Sequence, residues 1–234
     1  MAATGALRKG QVVTRIESVI LEAPDPAAAE KFYATAFGLG DRLLVRAADA
    51  PTSGFRGFML SLIVAQPNIA DTLIDAATDL GATTLKPAQK SFWGYGGVVQ
   101  APDGAIWKIA SSAKKNSGPA TREIDDCVLL LGVADVKATK EFYVARGLSV
   151  GKSFGSKYVE FSAAGSPVKL ALYSRPAAAK DAGVSADGTG SHRLIIASDA
   201  GPFTDPDGFA WEAAPLSAGR PQPLPTTASG SNGR

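Results

Sequence analysis

The chain has 234 residues, a formal net charge of +2 from 24 basic and 22 acidic side chains, 45% hydrophobic residues and a single cysteine. One cysteine excludes an intramolecular disulfide, a near-balanced charge without a basic run argues against nucleic acid as a partner, and no apolar run reaches the ~20 residues of a membrane span. A chain of this length can bury a core without disulfides or structural metal, and its opening stretch lacks the apolar segment of a secretory signal, so a cytoplasmic protein is expected.

In chain order, residues 1–12 read as a flexible N-terminus. A first half over 13–113 follows. It begins with a strand over Arg15–Glu22, a helix over Pro26–Phe37 and strands over Arg42–Ala47 and Phe58–Ala65. Next come a helix over Ile69–Leu80 and strands near Thr83–Pro87, Tyr95–Gln100 and Ala105–Ser111. The Ile69–Leu80 helix sets apolar residues 69, 73, 76, 77 and 80 on one face and stops at Gly81. Residues 114–121, polar and Gly/Pro-containing, read as a linker. The second half, 122–216, reads as strand Cys127–Val133, helix Lys137–Arg146 and strands Ser149–Phe154, Lys157–Ser162 and Lys169–Ser174. A loop over Arg175–Gly190 with a short helix at Ala177–Ala182 leads to strands His192–Ala197 and Phe209–Ala213. Residues 217–234 are rich in Pro, Gly, Ser and Thr, too apolar-poor to offset the entropy of ordering, and read as a disordered tail.

An internal repeat underlies this order. Asp25 is followed by Phe32-Tyr33, and Asp135 by Phe142-Tyr143 at the same spacing. Later, Pro102-Asp103-Gly104 precedes Trp107 as Pro206-Asp207-Gly208 precedes Trp211. The aspartate caps a helix N-terminus, the aromatic pair falls two turns in, and Pro-Asp-Gly makes a tight turn into a last strand.

The pattern of strand, capping Asp, Phe-Tyr helix, glycine stop and Pro-Asp-Gly turn resembles the glyoxalase/bleomycin-resistance/dioxygenase (vicinal-oxygen-chelate) family from about Arg15 to Pro215. The resemblance implies an α+β fold of tandem βαβββ units that form half-open β-barrels with flanking helices and enclose a ligand site. Against that pattern the units here read as unequal, a shortened first unit and a full second one in the first half, a full first unit and a shortened second one in the second half. The resemblance does not select an activity.

Metal-using members place His, Gln or Glu on four strands around one divalent ion. In the first half the first-ligand position is Ser18, with Glu17 on the opposite strand face. The strand at Phe58 starts apolar, and Lys108 stands where the last-strand carboxylate belongs. In the second half the first position is Val128, with Asp126 nearby. Only His192 and Glu212 match, with Glu160 and Tyr173 as weaker candidates. The expectation is therefore no cofactor, with a divalent metal on His192 and Glu212 as the alternative.

His192 and Glu212 are also the candidate catalytic acid–base pair. Trp93, Tyr95, Trp107 and Trp211 are the candidate ligand-binding residues, since aromatic faces suit flat or apolar molecules. Cys127, on an apolar strand, reads as a small buried hydrophobe, and Asp125-Asp126 as a solvated strand start.

Three functions compete. The first is a protein that binds a small apolar or aromatic molecule in a barrel cavity, its family metal site largely lost. The second is a metal-dependent lyase, isomerase or dioxygenase using His192 and Glu212, and the third a non-catalytic partner-binding protein. A small-molecule ligand is the expected partner, nucleic acid and membrane are not, and pairing of units within one chain or in a homodimer is open.

Overall fold

The computed structural model describes residues 14–162 and 165–214. The tails expected at 1–12 and 217–234 lie outside the described residues. Among the described residues four helices and fifteen strands follow in order: β1 (Ile16–Ala23), α1 (Pro26–Ala36), β2 (Leu43–Ala47), β3 (Thr52–Gly54), β4 (Phe58–Ile63), α2 (Pro67–Asp79), β5 (Thr83–Ser91), β6 (Gly94–Gln100) and β7 (Ile106–Ser111). After the linker come β8 (Asp126–Val133), α3 (Val136–Ala145), β9 (Ser149–Ser153), β10 (Tyr158–Ser162), β11 (Lys169–Ser174), α4 (Arg175–Ala182), β12 (Gly188–Gly190), β13 (Leu194–Ser198), β14 (Phe203–Thr204) and β15 (Ala210–Ala213).

The repeated aspartates act as the sequence predicts. Asp25 Oδ1 accepts from Ala28 N at 3.0 Å, and Asp135 Oδ1 accepts from Lys137 N at 2.8 Å and Ala138 N at 3.1 Å. Each satisfies donors that the first helical turn leaves orphaned. The fold is α+β, with two inner βαβββ units, β4–α2–β5–β6–β7 and β8–α3–β9–β10–β11. In each unit the first strand pairs in parallel with the last (β4 with β7, β8 with β11), and β4 and β8 join antiparallel through Leu60 opposite Leu129. The result is one eight-stranded sheet, ordered β5-β6-β7-β4-β8-β11-β10-β9. The abbreviated outer units supply the second sheet, β14-β15-β13-β1-β2. Both sheets therefore draw strands from both sides of the linker.

Strand alternation gives the eight-stranded sheet two unlike faces. Leu60, Leu62, Trp107, Ile109, Leu129, Leu131, Leu170 and Leu172 point into the main core, each at most 1% exposed. At about 1.5–3 kcal/mol per buried large aliphatic side chain, this face dominates the packing energy. Met59, Val98, Ile106 and Leu130 point the other way and meet Ala178, Ala179 and Ala182 of α4.

The linker is fastened rather than loose. Gln66, 4% exposed, accepts at Oε1 from Ser117 N, Ser117 Oγ and Gly118 N, and donates from Nε2 to Gly118 O and Pro119 O. These bonds replace the water a buried amide would otherwise lose.

Candidate functional site

The two sequence echoes meet in space, once in each half. Tyr33 Oη donates to Asp103 Oδ2 at 2.7 Å, and its ring lies 5.3 Å from Trp107. Tyr143 Oη donates to Asp205 Oδ2 at 2.5 Å, and its ring lies 5.2 Å from Trp211. Burial, reinforced by the adjacent carboxylate, holds both phenols well above their ordinary pKa. Trp107 and Trp211, expected as ligand contacts, are thus core side chains at 0% and 2% exposure. For Trp107 the reason is the strand period: Lys108 faces α4, so Trp107 beside it faces the opposite side, where it meets Tyr33 and Phe37.

On its other face the sheet carries α4, which lies close because its contact residues are alanines. A Cβ on Gly132 of β8 would stand 2.9 Å from Ala178 Cβ. The C-terminal end of α4 is fixed by lysines. Lys86 Nζ donates to Lys180 O at 2.5 Å and Asp181 O at 2.8 Å, capping carbonyls where the helix dipole favours a cation. Lys108 Nζ binds both Asp181 oxygens, at 2.9 and 2.8 Å. An ammonium ion tied to α4 thus stands at the position where the family resemblance implies a ligand carboxylate.

Beside this anchor a cleft of about 290 Å³ opens between β5, β6, β7 and the end of α4. Lys86, Lys108, Asp181, Gly96 and Ser111 line it, with Trp93 at the mouth. Trp93 is 83% exposed and meets Phe92 edge-on at 4.9 Å. Tyr95 borders the same cleft, but its hydroxyl is committed to Asp71 of α2 at 2.6 Å, and this bond, with burial, raises it to about 12. The structure thus brings together two of the four expected aromatics. The glycines of this run serve the sheet: at φ +141° a Cβ on Gly94 would lie 2.0 Å from Ser111 O.

His192 and Glu212 are not brought together. His192 precedes β13, because Arg193 takes a left-handed φ of 51° before the strand begins. Its Nδ1 lies 2.5 Å from Arg56 O, its Nε2 lies 3.1 Å from Asp207 O, and its ring stacks on Phe209 at 4.0 Å. It latches the Arg56 loop to the Pro206–Gly208 turn. Glu212 sits opposite Ala197, five residues further along β13, on the order of 15 Å away at a strand rise of about 3.3 Å. Its carboxylate forms a two-point pair with Arg46 at 2.9 Å, which holds it below the usual carboxylate range. The two residues expected to act as a pair thus make separate contacts in the structure.

These residues do not fit a chelated divalent ion. Both nitrogens of the histidine face backbone carbonyls, the glutamate is matched by a guanidinium, and among the described residues no group of three or more His, Cys, Asp or Glu side chains could hold a metal. The weaker candidates are also engaged: Glu160 accepts from Tyr158 Oη at 2.8 Å, and Tyr173 packs on Tyr158 at 5.0 Å. Asp126 pairs with Lys169 at 2.6 Å. Cys127 is buried, and its thiol is pushed up to about 12 by that burial. Among the described residues, no helix is long and apolar enough to cross a membrane.

Sequence reasoning missed Lys86 and Asp181. Nothing local in Arg175–Ala182 announces that its aspartate meets a lysine 73 residues earlier.

No protein-family model and no curated protein matches the sequence. Solved structures do. Glyoxalase I from Zea mays is 14% identical, with 85% of this chain and 91% of that chain covered at a TM-score of 0.54. A point mutant of the same enzyme aligns with the same coverage, identity and TM-score. At this identity the likeness speaks for architecture. It runs through both halves, and it agrees with the paired βαβββ units and with the repeat read from the sequence: the chain has the glyoxalase, or vicinal-oxygen-chelate, fold.

Proposed function

We propose that the chain is a glyoxalase-fold protein that binds a small, flat aromatic molecule in the cleft between Trp93 and the Lys86–Asp181–Lys108 anchor, without the chelate chemistry of metal-using relatives. The observation that carries this reading is Trp93, an indole 83% exposed at the mouth of a cleft of about 290 Å³. Large aromatics rarely stand free, and an indole beside a concave surface suits a stacked ring. Two ammonium groups against one carboxylate leave the cleft with net positive charge, which favours an anionic substituent on that ring.

Tryptophan fluorescence tests this directly. The chain has three tryptophans, and Trp107 and Trp211 are buried, so a ligand that quenches from solvent reports on Trp93. Naphthoate should quench saturably and more tightly than naphthalene-methanol. The signal should vanish in Trp93→Phe, and Lys108→Met should remove the preference for the acid. Non-saturable quenching, or affinity unchanged by both substitutions when followed calorimetrically, would overturn the reading.

A further inference from the structure

The two Tyr–Trp junctions differ at three aligned positions, and the differences open a cavity in one of them. In the second half Asp207 seals the turn onto the helix start: Oδ1 accepts from Ala134 N at 2.6 Å and Oδ2 from Thr139 Oγ1 at 2.8 Å. Tyr143 takes a different acceptor, Asp205. In the first half the residue aligned with Ala134 is Pro24, which has no N–H, the residue aligned with Thr139 is Ala29, which has no hydroxyl, and the residue aligned with Asp205 is Ala101, which has no carboxylate. Asp103, the counterpart of Asp207, therefore turns to Tyr33 instead. With the seal gone, a groove of about 450 Å³ lies between the start of α1, Leu80 and the turn at Pro102.

The chemistry of the groove is one-sided. Its walls are Pro24, Ala28, Ala29, Phe32 and Leu80, and among the described residues its charged lining is Asp25 and Asp103, with no lysine or arginine. Arg56 donates to the backbone oxygen of Asp103 and its charge acts on the neighbouring carboxylate, whose two oxygens accept from Tyr33 and Ala105 N, while among the described residues the Asp25 carboxylate accepts only from Ala28 N. Leu80 stays 38% exposed at the rim. Apolar walls ending in carboxylates fit an apolar body carrying a positive charge.

We propose that this groove, distinct from the Trp93 cleft, is a second binding site and that its ligand is a small hydrophobic amine, ammonium end toward Asp103 and Asp25. The experiment titrates the full-length protein with phenethylamine, phenethyl alcohol and 3-phenylpropionate and follows backbone amide shifts. Phenethylamine should produce saturable shifts at Ala28, Ala29 and Phe32. It should bind at least tenfold more tightly than the alcohol, and the acid should not bind. Trp93→Phe should leave this unchanged, which separates the groove from the cleft. Transplanting the seal, with Pro24→Ala, Ala29→Thr and Ala101→Asp together, should abolish the shifts. If that variant does not fold, Asp103→Asn, whose one amide oxygen retains one of the two bonds from Tyr33 and Ala105 N, should bring the amine down to the affinity of the alcohol. Equal binding of amine and alcohol by the native chain, the absence of saturable shifts at α1, or undiminished amine binding in Asp103→Asn would overturn the proposal.

Discussion

The Tyr33–Trp107 and Tyr143–Trp211 junctions share a tyrosine, a carboxylate and an indole, with ring separations of 5.3 and 5.2 Å, yet one is sealed and the other open. The conserved geometry lies in the aromatic pair, and the difference lies in small polar groups around it. A repeat can thus keep its packing while neighbouring positions, here three of them, decide whether solvent or a ligand reaches the joint.

Several measurements can break or sharpen that comparison. The largest expected effect is on the shared part. Trp107→Ala and Trp211→Ala should each cost about 3–5 kcal/mol in chemical denaturation, because each leaves a large cavity in a packed core. If one cost far less, the two joints would not be equivalent in load. Asp205→Ala should cost about 1–3 kcal/mol, and more than Asp103→Ala. Asp205 is 6% exposed and accepts from Asp207 N and Phe209 N as well as Tyr143, so its loss leaves more orphaned donors. Thr139→Ala, which removes half of the seal, should cost about 1 kcal/mol. Glu212→Gln, at an exposed pair with Arg46, should change stability by less than about 0.5 kcal/mol.

Alkaline pH tests both joints together. Tyr33, Tyr95, Tyr143, Tyr158 and Tyr173, all five tyrosines, are raised above the ordinary value of 10.0, four of them chiefly by burial and Tyr95 chiefly by its bond to Asp71. A phenol whose folded-state pKa is raised contributes stability that is intact below the unfolded value and is lost as pH rises through the folded one. Stability should therefore fall from pH 10 upward, with Tyr95 ionising near 12 if the fold persists. Absorbance at 295 nm should show no tyrosinate until that decline begins. A phenol titrating at pH 10 in the folded protein would mark a joint more open than its burial implies.

Much of the fold is legible in the sequence because it is written in local patterns. The capping aspartates, the Phe-Tyr spacing, the glycine stops and the Pro-Asp-Gly turns mark every helix but α4 closely, and even that helix is anticipated in part. The site is less legible, because its contacts are long-range. Lys108 is noticeable as a cation in a carboxylate's place, but its partner Asp181 is fixed only when α4 folds back across the sheet. The two-residue period of a strand already forbids Lys108 and Trp107 from lining the same cavity, so the burial of Trp107 could have been read from the sequence. The position of His192 could not, since it depends on the left-handed turn at Arg193. The short pairing of β3 with β12, Gly54 opposite Gly188, is also unreadable locally, because it joins two loops far apart in the chain.

The antiparallel seam of β4 and β8 sets how the chain could be divided. These strands lie in the middle of the eight-stranded sheet, while β1 and β13 hold the other sheet together across the same boundary. A cut at the linker would sever three strand pairings, β4 with β8, β1 with β13 and β3 with β12, and leave each fragment with raw strand edges, which invite either aggregation or recapture of the missing piece. The duplicated unit is therefore not the unit that can stand alone: fragments divided at the linker should regain structure only when mixed, as a split protein does.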